Sequence, residues 1–201
     1  MRGLRHKINA SSRMKSIAVY CGANKGIHPY FAEATAELGK TLAQRGIRVV
    51  FGGGSVGLMG VLADAVLAEG GPITGIITHQ LHGLELGHPG VEDMRMVETM
   101  SERRSQLIHD TDGVITLPGG YGSMDELFEA LTLAQLRQYP KPIGLLNLKG
   151  YYTPLLQMLD NMVENGFLKE QNRLLCIDSD TIPGLLSAME RHEHRALDKW
   201  H

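Results

Sequence analysis

GVITLPGGYGSMDELFEALTLAQLRQ, residues 113–138, changes its periodicity partway along. Gly113 to Leu117 is a short, continuously apolar run of the kind that forms a buried strand. Pro118-Gly119-Gly120-Tyr121-Gly122 ends it. From Ser123 onward apolar residues return at helical spacing, at Leu127, Phe128, Leu131, Ala134 and Leu136, with Leu133 on a flank. The order is therefore strand, glycine loop, helix. It aims the free N–H groups and the partial positive charge of a helix N-terminus over the end of a strand, where a phosphate is the natural guest. Asp125 and Glu126 fall in the first helical turn, an odd place for acids if phosphate binding were the whole purpose. Two readings stay open for Glu126. It acts on the part of a nucleotide beyond the phosphate, or Ser123 to Glu126 is an S-x-x-E capping box in which Glu126 reaches back to the cap residue.

Outward from this unit the same alternation repeats. Ser16 to Tyr20 is an apolar strand that runs into Cys21-Gly22-Ala23-Asn24-Lys25-Gly26. Pro29 sits at a helix start, Phe31 to Gln44 is helical in period, and Gly46 is a stop. Arg48 to Phe51 is a strand leading into a second glycine loop, Gly52 to Gly60, and a small-residue helix from Leu58 to Glu69. Ile73 to Thr78 is a third strand. His79 to Asp93 reads as an irregular loop over a site, Arg95 to Val97 as a short strand, and Ser101 as the cap of a helix carrying Arg103 and Arg104. Beyond the central unit come a strand from Pro142 to Leu148, a helix from Pro154 to Glu164, a strand from Leu174 to Ile177 and a closing helix from Ile182 to Glu190.

Alternating apolar strands and helices imply an α/β fold: a single-domain, Rossmann-like parallel sheet with helices on both faces. Ligands of such sheets bind outside the carboxyl ends of the strands. The loops at Gly22, Gly52 and Gly119 all lie there, and their convergence says more than any one of them. Residues 1–14 read as a disordered arm, 15–190 as the nucleotide-binding hydrolase domain and 191–201 as a polar tail.

Composition narrows the choices. With 201 residues, 43% apolar content and a net charge of −2, the chain has length for a full core and no basic footprint for nucleic acid or a membrane surface. Cys21 and Cys176 sit in apolar runs, a reduced-compartment pattern rather than a disulfide framework; the basic start, residues 1–13, does not read as a secretory signal, and a cytoplasmic location is expected. The loop histidines His79, His82 and His88 and the tail histidines His192 and His194 read as solvent-exposed; no metal-ligand spacing accompanies them. Met59, Met94, Met96, Met124 and Met158 read as core filler. The first loop lacks the G-x-G-x-x-G of dinucleotide enzymes, and the second strand ends in Phe51-Gly52 where an acid would hold the ribose of NAD. A P-loop and a G-x-S-x-G elbow are absent too. Arg103 and Arg104 are either a solvated pair or a grip on a phosphate or carboxylate near the loop.

Three separated motifs carry a resemblance. Pro118 to Glu126 resembles the P-G-G-x-G-T-x-x-E signature of the Lonely-guy (LOG) proteins, the cytokinin riboside 5′-monophosphate phosphoribohydrolases. Met100-Ser101-Glu102-Arg103-Arg104 is similar to their M-x-x-R-K element, and Gly52 to Gly60 to their G-G-G-x-x-G-L-M-G segment. The similarity runs from about Lys15 to Asp178. Proteins of this family have been labelled lysine decarboxylases, yet no lysine context typical of a pyridoxal phosphate site is found in this sequence.

The resemblance implies hydrolysis of the N-glycosidic bond of an N6-modified adenosine 5′-monophosphate, a homodimer, and no cofactor or metal. It implies Arg103 and Glu126 as the catalytic pair. Gly119, Gly120, Gly122 and Ser123, with Gly53 and Gly54, are expected to hold the phosphate. Met100, Arg104, Gly22 and Asp125 are candidates for the base and ribose. Ser123 stands where the family has Thr and keeps the hydroxyl; Arg104 replaces Lys and changes the shape of the charge. Cleavage builds positive charge on the sugar, which a carboxylate stabilises while orienting or deprotonating a water. The alternatives are a nucleotide-binding or sensor protein that performs no chemistry, and a general AMP nucleosidase.

Overall fold

The computed structural model describes residues 14–84 and 86–192; the expected arm, apart from Met14, and the tail beyond His192 lie outside the described residues. Met14 itself is buried in the core. The apolar runs form seven strands: β1 (Ser16–Tyr20), β2 (Arg48–Phe51), β3 (Ile73–Thr78), β4 (Asp93–Val97), β5 (Val114–Thr116), β6 (Ile143–Leu146) and β7 (Cys176–Ser179). They lie in the order β4-β3-β2-β1-β5-β6-β7, every neighbouring pair parallel. This is the expected Rossmann-like α/β sheet. The inner strands β1, β3, β5 and β6 are buried throughout, and the edge strands β4 and β7 are partly exposed, as a sheet covered on both faces requires.

Successive side chains of one strand serve opposite layers. Ile17 and Val19 of β1 join Val49 and Phe51 of β2 in a core with Leu38 and Leu42 of α1 (Pro29–Gln44), Leu58 and Leu62 of α2 (Gly57–Ala68), and Leu185 and Leu186 of a late helix, Ile182–Glu190. Ala18 and Tyr20 point the other way. They meet Leu107 of the helix Met100–His109, Leu127 of the helix Tyr121–Gln135 and Leu159 of the helix Thr153–Glu164. In chain order these helices are α4 (Met100–His109), α5 (Tyr121–Gln135), α6 (Thr153–Glu164) and α8 (Ile182–Glu190), with two short ones, α3 (His79–Gly83) and α7 (Glu170–Arg173), between them.

Several local expectations need correction. The segment after β3 is not wholly irregular: Thr78 accepts a hydrogen bond from the Leu81 N–H through its hydroxyl and starts the single-turn α3. Thr99, not Ser101, caps α4, in a full capping box with Glu102. Helix α5 begins at Tyr121 with Gly120 as its cap residue, so Ser123 is already the third helical residue. The S-x-x-E reading therefore fails, and Glu126 lies in the second turn. Strand β7 starts two residues later than expected because Glu170–Arg173 and Leu174 take helical backbone first. His88 is buried beside Asp64 (3.2 Å) instead of facing solvent, whereas Met158 is exposed instead of filling the core.

Candidate active site

The sheet changes direction of winding between β1 and β5, and the crevice above that point is where a doubly wound sheet binds its ligand. Three loops meet there, after β1, β2 and β5. The Gly22 N–H donates to the Pro118 carbonyl (3.1 Å), and the Leu58 N–H donates to the Gly22 carbonyl (2.9 Å). The first loop is thus stitched to both others. Gly57 has φ of +62° and lies so close to the first loop that a Cβ would sit 2.2 Å from the Ala23 carbonyl carbon, so no other residue serves at this junction. Together the loops enclose a cavity of about 540 Å³, within the range of small-molecule sites.

One end of the cavity is the N-terminus of α5. Its cap residue offers no side-chain hydrogen bond, so the first N–H groups of the helix remain for a ligand. Gly119 admits the Ser123 hydroxyl: a Cβ at Gly119 would lie 2.1 Å from the Ser123 Oγ. Two tyrosines following β6 fix the loop. The Tyr151 hydroxyl donates to the Gly119 carbonyl (2.8 Å) and the Tyr152 hydroxyl to the Leu117 carbonyl (2.7 Å). With those carbonyls engaged, what the loop and helix present to the cavity is donor in character.

Arg103 and Glu126 form the floor. Arg103 is buried and held by the sheet: its Nε donates to the Ile76 carbonyl and its Nη2 to the Gly52 carbonyl, both at 2.9 Å. The space for that guanidinium exists because residue 52 is glycine; a Cβ there would stand 2.0 Å from Nη2. The remaining Nη1 faces Glu126 Oε1 at 3.8 Å, an ion pair longer than a hydrogen bond. The Glu126 side chain is 12% exposed. Burial raises its carboxyl to about 7, outweighing Arg103, which favours the charged form; Asp125 adds to the rise. Burial likewise lowers the Arg103 guanidinium, with Glu126 opposing. Arg104 points to neighbouring acids, 3.1 Å from Asp125 and 2.8 Å from Glu129, and so ties α4 to α5. A largely buried carboxyl poised near neutrality can stabilise a developing cation and accept a proton.

Of the residues singled out from sequence, Arg103, Glu126, Gly119, Gly120, Gly122, Ser123, Gly54, Met100, Arg104 and Asp125 line this one cavity. Gly22 and Gly53 do not. The Gly22 N–H is consumed by Pro118, and a Cβ there would press on the loop backbone. Gly53 turns toward Met94 and Ile77, with φ of +73°, while its carbonyl accepts the His88 N–H. Sequence reasoning missed Tyr20 and Cys21 at the end of β1, although the rule that ligands sit over strand ends pointed there. It also missed Tyr151 and the apolar lining residues Val56, Met59, Ile77, Leu81 and Leu86. Val56 and Met59 lie within the Gly52–Gly60 motif, whereas Ile77, Leu81 and Leu86 carry no local signal. Among the described residues no group of three His, Cys, Asp or Glu side chains is placed to hold a metal.

Fold and site define a Rossmann-type α/β protein whose switch-point crevice joins a helix N-terminus to a buried acid–arginine pair. Residues 59–189 match the protein family described as "possible lysine decarboxylase". The chain is 42% identical to the probable cytokinin riboside 5′-monophosphate phosphoribohydrolase LOGL1 of Oryza sativa subsp. japonica, over 90% of this chain and 81% of that protein. It is 38% identical to the cytokinin riboside 5′-monophosphate phosphoribohydrolase LOG7 of Arabidopsis thaliana, over 90% and 84%. Among solved structures, the structural-genomics X-ray structure of TM1055 superposes with a TM-score of 0.68 at 25% identity, covering 89% of this chain and 100% of that one. The chain belongs to the Lonely-guy (LOG) family.

Proposed function

We propose that this protein is a phosphoribohydrolase that cleaves the N-glycosidic bond of cytokinin riboside 5′-monophosphates, giving the free N6-modified base and ribose 5-phosphate. The observation that carries this reading is the position of Glu126. It is a buried carboxyl raised to about 7, 3.8 Å from a fixed arginine and one turn beyond the donor-rich start of α5. One helical turn rises about 5 Å, comparable with the reach from a 5′-phosphate toward the sugar. A phosphate seated on Gly119, Gly120, Gly122 and Ser123 therefore brings the ribose over the acid. The C1′–N9 bond breaks with its electron pair leaving on the base, and the ionised carboxylate stabilises the cationic sugar. Glu126 then takes a proton as a water oxygen adds to C1′ and afterwards releases it to solvent, while the departing base, carrying the electron pair, takes one proton from solvent on a ring nitrogen. Arg103 keeps the carboxylate oriented. The apolar lining residues Val56, Met59, Ile77, Leu81 and Leu86 favour a substrate with an apolar N6 substituent.

The reading extends to a homodimer in the cytoplasm, in keeping with the family resemblance and with two buried, unpaired thiols. No described helix is long and apolar enough to cross a membrane. Incubation with N6-isopentenyl-AMP and with AMP, followed by chromatography of the free bases and assay of ribose 5-phosphate, tests the activity. Faster release from the N6-modified nucleotide is expected. Equal or faster release from AMP makes the protein a general AMP nucleosidase, and release from neither makes it a binding protein.

A further inference from the structure

The chain at residues 86–91 is pinned to the second glycine loop and to α2. The Ser55 N–H donates to the Leu86 carbonyl (2.7 Å), the His88 N–H donates to the Gly53 carbonyl (2.9 Å), and Gly54 pairs with Gly87 in an antiparallel bridge between those bonds. Both strips reach the cavity, Gly54 from one and Leu86 from the other. Met59 of α2 meets them there: a Cβ at Gly54 would stand 2.7 Å from its terminal methyl and 3.6 Å from the Leu86 carbonyl oxygen. The chain then turns at His88, whose imidazole is 8% exposed and engaged at both nitrogens. Nδ1 accepts the Gly90 N–H (3.2 Å), and Nε2 lies 3.2 Å from the Asp64 carboxylate on α2. With Nδ1 accepting, the ring proton sits on Nε2 and is donated to Asp64. The turn is also seated on α2, since a Cβ at Gly90 would stand 3.1 Å from Leu67 Cδ1 and 3.4 Å from the imidazole Cε1. His88 itself does not line the cavity. Whatever it does for a ligand it does through Leu86 and the loop at Gly53.

We propose that His88 is a positioning residue: its imidazole latches residues 86–90 to α2 and so holds the cavity wall at Leu86 that separates bases with an apolar N6 substituent from bases without one. The proposal rests on the phosphoribohydrolase reading, which supplies those two substrates. The latch itself is a property of the protein without nucleotide. Removing the ring leaves the Gly90 N–H without its acceptor and breaks the side-chain tie to α2, so the wall keeps only its main-chain bonds to the loop at Gly53 and Ser55. Removing the Asp64 carboxylate breaks one of the two ring contacts, from a side chain that is 78% exposed.

The test compares His88→Ala, Asp64→Ala and the double variant with Leu159→Val, a core change in the layer on the other face of the sheet. Three readouts are taken: the ratio of kcat/KM on N6-isopentenyl-AMP to that on AMP, the ratio of the two Kd values by calorimetry, and nitrogen-15 NMR of histidine-labelled protein. His88→Ala is expected to lower the preference for the N6-modified nucleotide about ten-fold, through KM, with kcat changed less than about two-fold. Asp64→Ala is expected to lower it about three-fold, and the double variant no further than His88→Ala alone. Leu159→Val is expected to lose stability and keep the wild-type ratio. The NMR is expected to show an Nε2–H tautomer for the imidazole whose signals vanish in His88→Ala. An unchanged ratio in His88→Ala, effects that multiply in the double variant, an equal fall in Leu159→Val, or an Nδ1–H tautomer at His88 overturns the proposal. Should His88→Ala not fold, Asp64→Ala decides by the same ratio. Failure of the wild-type protein to release any base defeats the functional reading alone, and the Kd ratios still decide the latch.

Discussion

At Glu126 two forces oppose each other, and desolvation exceeds the attraction of Arg103. Consequences follow for both rate and stability. In the proposed mechanism the reaction needs the carboxylate, so kcat/KM of the free enzyme is expected to rise with pH through a midpoint near 7 and then level off; a stopped assay from pH 5 to 9 checks this. Stability runs the other way. The folded protein retains a proton that the unfolded chain releases near 4.5, so the contribution of this group is complete below 4.5 and is lost as pH rises to about 7. The loss is of order 3 kcal/mol. Glu126→Gln lacks this titration, so its urea midpoint is expected to stay flat across that window while the wild type declines. The same variant is expected to keep nucleotide affinity in calorimetry but to lose about 10³-fold in turnover. Arg103→Ala is expected to abolish turnover and also to cost roughly 3 kcal/mol in denaturant unfolding, because it leaves a buried acid and two carbonyls unpartnered.

Among the elements, α4 delivers Arg103 and β2 makes room for it. Thr99→Ala removes one half of the capping box of α4 and is expected to lower stability by about 1 kcal/mol with a smaller loss of rate. Gly52→Ala puts a Cβ within 2.0 Å of the guanidinium and is expected to expel it, lowering turnover nearly as far as Arg103→Ala does; parallel assays of the two variants check the order. The elements also show what local sequence can reveal. Strands β1, β2 and β3 were legible to the residue because each is an apolar run closed by a polar or glycine break. The start of α5 was misjudged because a glycine cap gives no side-chain signal, whereas the Ser–Glu spacing imitated one that does. The single turn of α3 rests on one threonine hydroxyl, too little for periodicity to register. The acid–arginine pair was placed by motif resemblance. Its burial, the hydrogen bonds from Tyr151 and Tyr152 to the loop, and the inward turn of Gly53 arise only when distant segments pack.

For the molecule as a whole, the proposed reaction divides binding and chemistry between different parts of one crevice: a helix end for the anion, apolar walls for the base, an acid between them. The 5′-phosphate then serves as the handle whose binding energy positions a distant bond. N6-Isopentenyladenosine, lacking that handle, is expected to be cleaved at least 10³-fold less efficiently than its monophosphate, measured as kcat/KM on the two compounds. The anchoring of Arg103 bears on this division. Two of its three nitrogens are committed to main-chain carbonyls, Ile76 of β3 and Gly52 just past β2, so the cation is anchored before a nucleotide arrives. Its position under the crevice is set by β3 and by the loop that follows β2. Lysine, with one ammonium on a flexible stem, cannot bridge two strands and face a carboxylate at once.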